Sequence, residues 1–180
     1  MSEWQIISQK PVFKAEFFNV EEIDFENKNG KRKVHHVIHK APTISIFPLT
    51  DSYDVYLISE YRYMLGKTIL EAVSGYVDKK ETIIAAAKRE LKEEAGISAR
   101  QLEEIARVEV AASVIKSKMH LFLAKGLEVE ENDLEDDEEI EVVKMPLSTA
   151  VVKVMTGEIN HAASMLGILL LDKLRSQKKL

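Results

Sequence analysis

The 180-residue chain contains no cysteine, so neither a disulfide nor a thiolate metal site is available. Any metal must be held by oxygen or imidazole ligands, which favours a hard cation. Long apolar runs are also missing. The longest late run, residues 165–171, is far too short to span a bilayer, and residues 1–10 lack the basic stretch and apolar core of an export signal. The expected location is therefore the cytoplasm. There is no basic excess either: 25 Lys and Arg stand against 30 Asp and Glu, a net charge of -5, which argues against a nucleic-acid partner. The cluster Lys28, Lys31, Arg32 and Lys33 surrounds Asn29-Gly30, a strong hairpin-turn signal, and reads as solvated turn residues. No internal repeat or low-complexity linker divides the chain.

What is present is the composition of a soluble globular domain, 46% hydrophobic and 31% charged, long enough for one core and a small appendage. Residues 12–25 and 33–40 alternate loosely between apolar and polar around the turn at 27–30 and predict an antiparallel hairpin. Residues 43–48 and 53–61 are rich in β-branched and aromatic side chains and predict two core strands. Residues 69–75 predict a short extended piece that ends in glycine. A helix is expected over 79–95, with Asp78 and Glu81 in a capping-box pattern, Gly96 as C-terminal cap, and Ile84, Ala87, Leu91 and Ala95 facing the core. Beyond it the pattern gives strands at 102–114 and 119–124, an acidic loop at 127–139, a strand at 140–145, a helix from Pro146 to Met155 and a last helix after Asn160.

The end of the first helix is costly if it is only structural. Glu90, Glu93 and Glu94 are three and four positions apart, so three like charges meet within about one turn. They crowd the helix C-terminus, where the dipole is negative, and each effect disfavours them by roughly 0.3–1 kcal/mol at an exposed site. A bound divalent cation removes both penalties, and oxygen ligands with retained water are what magnesium requires. The alternative is an ordinary solvated acidic face, since glutamate is a good helix former.

The neighbouring residues weigh against that alternative. Gly75, Glu81, Arg89, Glu90, Leu91, Glu93, Glu94, Gly96 and Ile97 match the Nudix hydrolase signature position for position: glycine, five residues, glutamate, seven residues, arginine, glutamate, aliphatic, any residue, two glutamates, any residue, glycine, aliphatic. A chance match is on the order of one in a million or rarer. Ser59-Glu60-Tyr61-Arg62-Tyr63, Glu71-Ala72-Val73-Ser74-Gly75 and Gly157-Glu158-Ile159 extend the resemblance over nearly the whole chain, toward ADP-ribose pyrophosphatases and nucleoside diphosphate sugar hydrolases.

That resemblance implies an α/β/α sandwich with a mixed sheet (residues 41–180) preceded by an N-terminal antiparallel strand unit (1–40) that exchanges between the subunits of a homodimer. It implies magnesium, with manganese as a substitute, on Glu90, Glu94 and the backbone carbonyl of Ser74. Glu93 shares the metal or acts through water, and Glu81 with Arg89 forms an internal ion pair that orients the carboxylates. Arg62 would pair with a phosphate, Glu71 belongs to the same substrate-binding region, and Tyr76 would contact base or ribose unless it is simply packed. In the acidic run 135–139, Glu138 and Glu139 are candidate general bases, against the default of a solvated loop.

The implied reaction is cleavage of a nucleoside diphosphate sugar to nucleoside monophosphate and sugar phosphate. Ala111-Ala112-Ser113 and Ser117 stand where ADP-ribose pyrophosphatases carry a serine-proline-glycine turn and a glutamate, which shifts weight toward another sugar such as that of GDP-mannose. Rival readings are dinucleoside polyphosphate or nucleoside triphosphate hydrolysis, and a non-catalytic nucleotide sensor. His35, His36 and His39, on the first hairpin with no fourth partner nearby, read as surface or interface histidines rather than zinc ligands.

Overall fold

The computed structural model describes residues 3–130, 134 and 139–180. The chain divides into two compact units, Met1–Pro42 with Val108–Met119, and Thr43–Arg107 with His120–Leu180.

The first unit is a sheet of β1 (Trp4–Lys14), β2 (Phe18–Asn27), β3 (Arg32–Lys40) and the short β9 (Ile115–Lys116), in the order β1-β2-β3-β9. The expected β2–β3 hairpin forms around the turn at 27–30, where Asn27 Oδ1 accepts from the N–H groups of Asn29 and Lys31. The alternating segment expected over 12–25 is broken instead at 15–17, so β1 pairs antiparallel with β2 as a separate strand. Alternation could not reveal β1 because its whole length is exposed. Pro11 lies where the β1 register shifts, on an edge strand that can spare its N–H. His36 and His39 pair with Glu22 and Glu21, and His35 packs edge-on against Phe25.

Two further sheets lie mainly in the second unit. One has the order β7 (Val73–Tyr76), β4 (Thr43–Pro48), β10 (Lys118–Val129), β8 (Ile97–Glu109), and the other the order β11 (Ile140–Pro146), β5 (Asp54–Arg62), β6 (Lys67–Glu71). The extended piece expected at 69–75 is in fact two strands, β6 and β7, that part at Ala72 and join different sheets. Strand β8 starts directly after Gly96, five residues earlier than the pattern suggested, and ends at Glu109. Alternation in β4 turns Ile44 and Ile46 toward α1 (Ile83–Ala95), where they meet Ala86, Ala87, Leu91 and Ala95 in one buried cluster. Phe47 points to the opposite face, against Gly167 of α3 (Ala162–Ser176). Helix α2 (Leu147–Met155) opens at Pro146 as expected and buries Leu147, Ala150 and Val154. Strands with helices on both faces make this unit an α/β/α sandwich.

Helix α1 begins later than its sequence suggested. Thr82, not Asp78, is the N-cap, its hydroxyl accepting from the Ala85 N–H at 3.2 Å. Glu81 does not close a capping box because its carboxylate is drawn to Arg89. The core-facing set shifts accordingly: Ile84 is 52% exposed, while Ala86 and Glu94 are buried. The C-terminal end is as expected, with Gly96 at φ 60 donating its N–H to the Leu91 and Lys92 carbonyls, a conformation few other residues adopt without strain. Burying Leu91 contributes about 1.5–3 kcal/mol, which anchors the helix on the sheet.

Candidate active site

The last two turns of α1 lie against β7, and the contact depends on a missing side chain. A Cβ built on Gly75 would stand 1.9 Å from Glu90 Oε1 and 2.0 Å from its Cδ. Only glycine therefore lets the Glu90 carboxylate lie against the strand. One turn on, Glu94 is 5% exposed and its Oε2 accepts the Ser74 backbone N–H at 2.9 Å. Two carboxylates four positions apart on the helix are thus seated on the consecutive residues Ser74 and Gly75.

Arg89 ties the cluster together. Its Nε and Nη2 donate to the two oxygens of Glu81, each at 3.2 Å, and Nη2 also donates to the Tyr76 carbonyl at 3.1 Å. Its Nη1 reaches Glu93 Oε2 at 2.8 Å and Glu90 Oε1 at 2.9 Å. The Glu81 hydrogen bonds first, then those of Glu93 and the charge of Glu90, outweigh partial burial and raise the guanidinium pKa. Arg89 is charged at every working pH and pins Glu90, Glu93 and the loop backbone at one point.

A second network adjoins the first. Arg62, at the end of β5, donates from Nε to Glu71 Oε1 at 2.7 Å and pairs through Nη1 with Glu60 at 2.8 Å. Burial would lower its pKa, yet the hydrogen bond and charge of Glu71, followed by the charges of Glu60 and Glu94, raise it. Glu71 is 1% exposed. Its other oxygen lies 3.0 Å from His161 Nδ1, which is 2.9 Å from Ser164 Oγ, and that hydroxyl accepts the Ala72 N–H at 2.8 Å. Burial pushes the Glu71 carboxyl up, but the hydrogen bonds from His161 and Arg62 prevail and hold it below the ordinary carboxylate value.

All the candidates near the signature are therefore brought together: Ser74, Glu81, Arg89, Glu90, Glu93 and Glu94 in one cluster, with Arg62 and Glu71 beside it. Tyr76 is 36% exposed at the end of β7. Glu139 is exposed and precedes Ile140, which pairs with Glu60, so it stands at the end of β5 that carries Arg62. Glu138 lies outside the described residues. Sequence reasoning missed Glu60, His161 and Ser164. Glu60 lies within the Ser59–Tyr63 motif, and the other two carry a faint signal as polar residues at the opening of a largely apolar helix.

Sheets with helices on both faces, and a glycine strand that seats helix carboxylates beside a caged arginine, define an α/β protein built around an acidic loop-helix site. The NUDIX domain family model matches residues 39–165, and the chain belongs to the Nudix family, as a Nudix hydrolase. It is 28% identical to the ADP-ribose pyrophosphatase of Bacillus subtilis (strain 168), over 98% of both chains. It is 29% identical to the ADP compounds hydrolase NudE of Escherichia coli (strain K12), over 92% of this chain and 89% of the other. A solved structure described as an ADP compounds hydrolase superposes with a TM-score of 0.84 at 28% identity, covering 99% of this chain and 97% of that one.

Nudix hydrolases are generally divalent-metal dependent, and the donor set here fits such an ion. Six carboxylates, Glu60, Glu71, Glu81, Glu90, Glu93 and Glu94, stand against two guanidiniums, Arg62 and Arg89. A diphosphate would be repelled from that surplus unless a cation balanced it. All the donors are hard oxygens, and the glycine at position 75 leaves Glu90 room beside the strand. Among the described residues no group of three or more Asp, Glu or His side chains is placed to hold a metal ion by itself. Backbone oxygen and water would have to complete the ligand shell, as magnesium tolerates.

Proposed function

We propose that this enzyme hydrolyses the pyrophosphate of a nucleoside diphosphate sugar in the cytoplasm, using magnesium, with manganese as a substitute, and releasing nucleoside monophosphate and sugar phosphate. The observation that carries this reading is the seating of Glu90 and Glu94 on the Ser74-Gly75 backbone next to Arg62. Glu90, Glu94 and the Ser74 carbonyl would hold the metal. When bound, divalent ions offset the diphosphate charge and make a water acidic enough to attack phosphorus at neutral pH.

The chain's own groups do the rest. Arg62, with Nε and Nη1 committed to Glu71 and Glu60, directs its remaining N–H groups at a phosphate. Tyr76 offers a half-exposed ring to base or ribose. As the new oxygen–phosphorus bond forms and the bridging one breaks, the water's proton passes to a carboxylate and the bridging oxygen leaves on its phosphate. Glu139 and Glu138 are the proposed acceptors, and Glu93, held by Arg89, would share the metal or act through water. Glu81 and Arg89 keep the helix carboxylates in place.

Two copies are proposed to pair through the N-terminal strand unit, residues 1–40, which the resemblance makes a swapped element of a homodimer. The exposure of Ile6, Ile7, Phe13 and Val34 on its sheet supports that.

The test is magnesium-dependent release of nucleoside monophosphate from ADP-ribose, ADP-glucose, GDP-mannose, UDP-glucose, a dinucleoside polyphosphate and a nucleoside triphosphate. The expected result is a clear preference among the sugar-linked diphosphates, with the adenine compounds tried first given the names of the full-length relatives. Tight binding of one compound without turnover of any would favour a sensor and sink the proposal.

A further inference from the structure

The Arg62–Glu71 pair does not end at Glu71. A carboxylate with 1% exposure cannot touch a solute, so Glu71 acts on the site only through its partners. Its oxygens are divided between them, Oε1 to Arg62 Nε at 2.7 Å and Oε2 to His161 Nδ1 at 3.0 Å. An ionised carboxylate only accepts hydrogen bonds, so a hydrogen bond at 3.0 Å places the proton on Nδ1, with Ser164 Oγ, 2.9 Å from the same nitrogen, as a second acceptor rather than a donor. Were Nδ1 bare, it could accept from the Ser164 hydroxyl, but its lone pair would face that of the buried Glu71 Oε2. The neighbouring Ser164 hydroxyl accepts the Ala72 N–H, which fixes the start of α3 to the junction between β6 and β7 and brings the imidazole within reach of Glu71.

We propose that His161, the residue preceding α3, is a positioning residue for substrate: it holds Glu71, and Glu71 holds the Arg62 guanidinium in the orientation that receives a phosphate. Without His161, Glu71 Oε2 loses this donor in a buried setting. The carboxylate then turns toward whatever other donor it can reach and leaves Arg62 Nε. The guanidinium, still paired with Glu60 through Nη1, swings with that single contact and no longer presents a fixed edge. The role of His161 rests on the hydrolase reading above, but the state of its ring does not.

Two measurements test this. In steady-state kinetics on ADP-ribose with saturating magnesium, His161→Ala should raise KM about tenfold and leave kcat within about twofold, the pattern of lost ground-state and transition-state binding alike. His161→Asn, whose amide N–H falls near the position of Nδ1, should recover most of that loss. A purely structural role would instead lower Tm and the active fraction with KM unchanged, and that outcome, or failure of asparagine to rescue, would overturn the proposal. Heteronuclear NMR of the imidazole nitrogens in the wild-type protein gives a readout independent of turnover and of whether the alanine variant folds. A protonated Nδ1 on His161 supports the proposal, and a ring protonated only at Nε2 overturns it. Failure of the hydrolase reading would appear separately, as a wild-type protein that turns over no sugar-linked diphosphate.

Discussion

Gly75→Ala should separate activity from stability. Gly75 lies in the ordinary extended conformation of β7, so alanine meets no backbone strain. The added Cβ would stand 1.9 Å from Glu90 Oε1, 2.0 Å from Cδ and 2.6 Å from Cγ, whereas carbon and oxygen atoms settle at about 3.5 Å. The carboxylate must retreat by about 1.5 Å, which is within reach of a rotamer change. The rotamer penalty is about 0.5–1.5 kcal/mol, and replacing glycine recovers about 0.4–1 kcal/mol from the unfolded chain. Net stability should therefore move by less than about 1 kcal/mol, or no more than about 4 °C in Tm for a domain of this size. Activity should move far more, because a catalytic group displaced by about 1 Å costs on the order of a hundredfold in rate. The assay is magnesium-dependent nucleoside monophosphate release beside a thermal melt. A variant that keeps kcat/KM within about threefold of wild type would refute the role given to this contact.

Further outcomes follow from other contacts. Gly167→Ala places a Cβ 2.0 Å from Phe47 Cζ, a fully buried ring with nowhere to go, and should cost about 1–3 kcal/mol in denaturant unfolding. Leu91→Ala should cost about 2–5 kcal/mol by leaving a cavity between α1 and the sheet, measured the same way. Because the folded-state pKa of Glu71 is depressed, its contribution to stability is fully present above the ordinary carboxylate value and is lost as pH falls through the depressed one. Glu71→Gln should therefore flatten the acid limb of a stability-against-pH curve below about pH 4.5, and an unchanged slope would contradict the assigned direction. Replacing Glu139 and Glu138 singly with glutamine should identify the proton acceptor by a fall in kcat of about a hundredfold or more at one position.

Much of this site could be read from residue spacing because it lies on one helix. Positions 90 and 94 must share a face, and Arg89 can reach Glu93 within a turn, so periodicity alone gathers those groups. The close approach of Glu90 to Gly75 joins a strand to a helix, and no spacing rule states its distance. His161 and Ser164 meet Glu71 and Ala72 from about ninety residues away in the chain, a tertiary contact without local signature. The misplaced start of α1 has a similar origin: Asp78 and Glu81 form a sound capping pattern, but Arg89 attracts Glu81 more strongly and the helix waits for Thr82. The single extended piece expected at 69–75 failed for a topological reason, since one run of β-prone residues supplies two strands to two sheets.

The charge at position 94 decides whether the helix carboxylates hold a metal. Glu94→Gln keeps an oxygen able to accept the Ser74 N–H and so should leave the fold intact, but it removes the negative charge assigned to the metal. Nucleoside monophosphate release from the preferred sugar-linked diphosphate, followed while magnesium is raised to saturation, should fall by about a hundredfold or more with an unchanged circular dichroism spectrum. Turnover equal to wild type at saturating magnesium would remove Glu94 from the metal site and contradict the account.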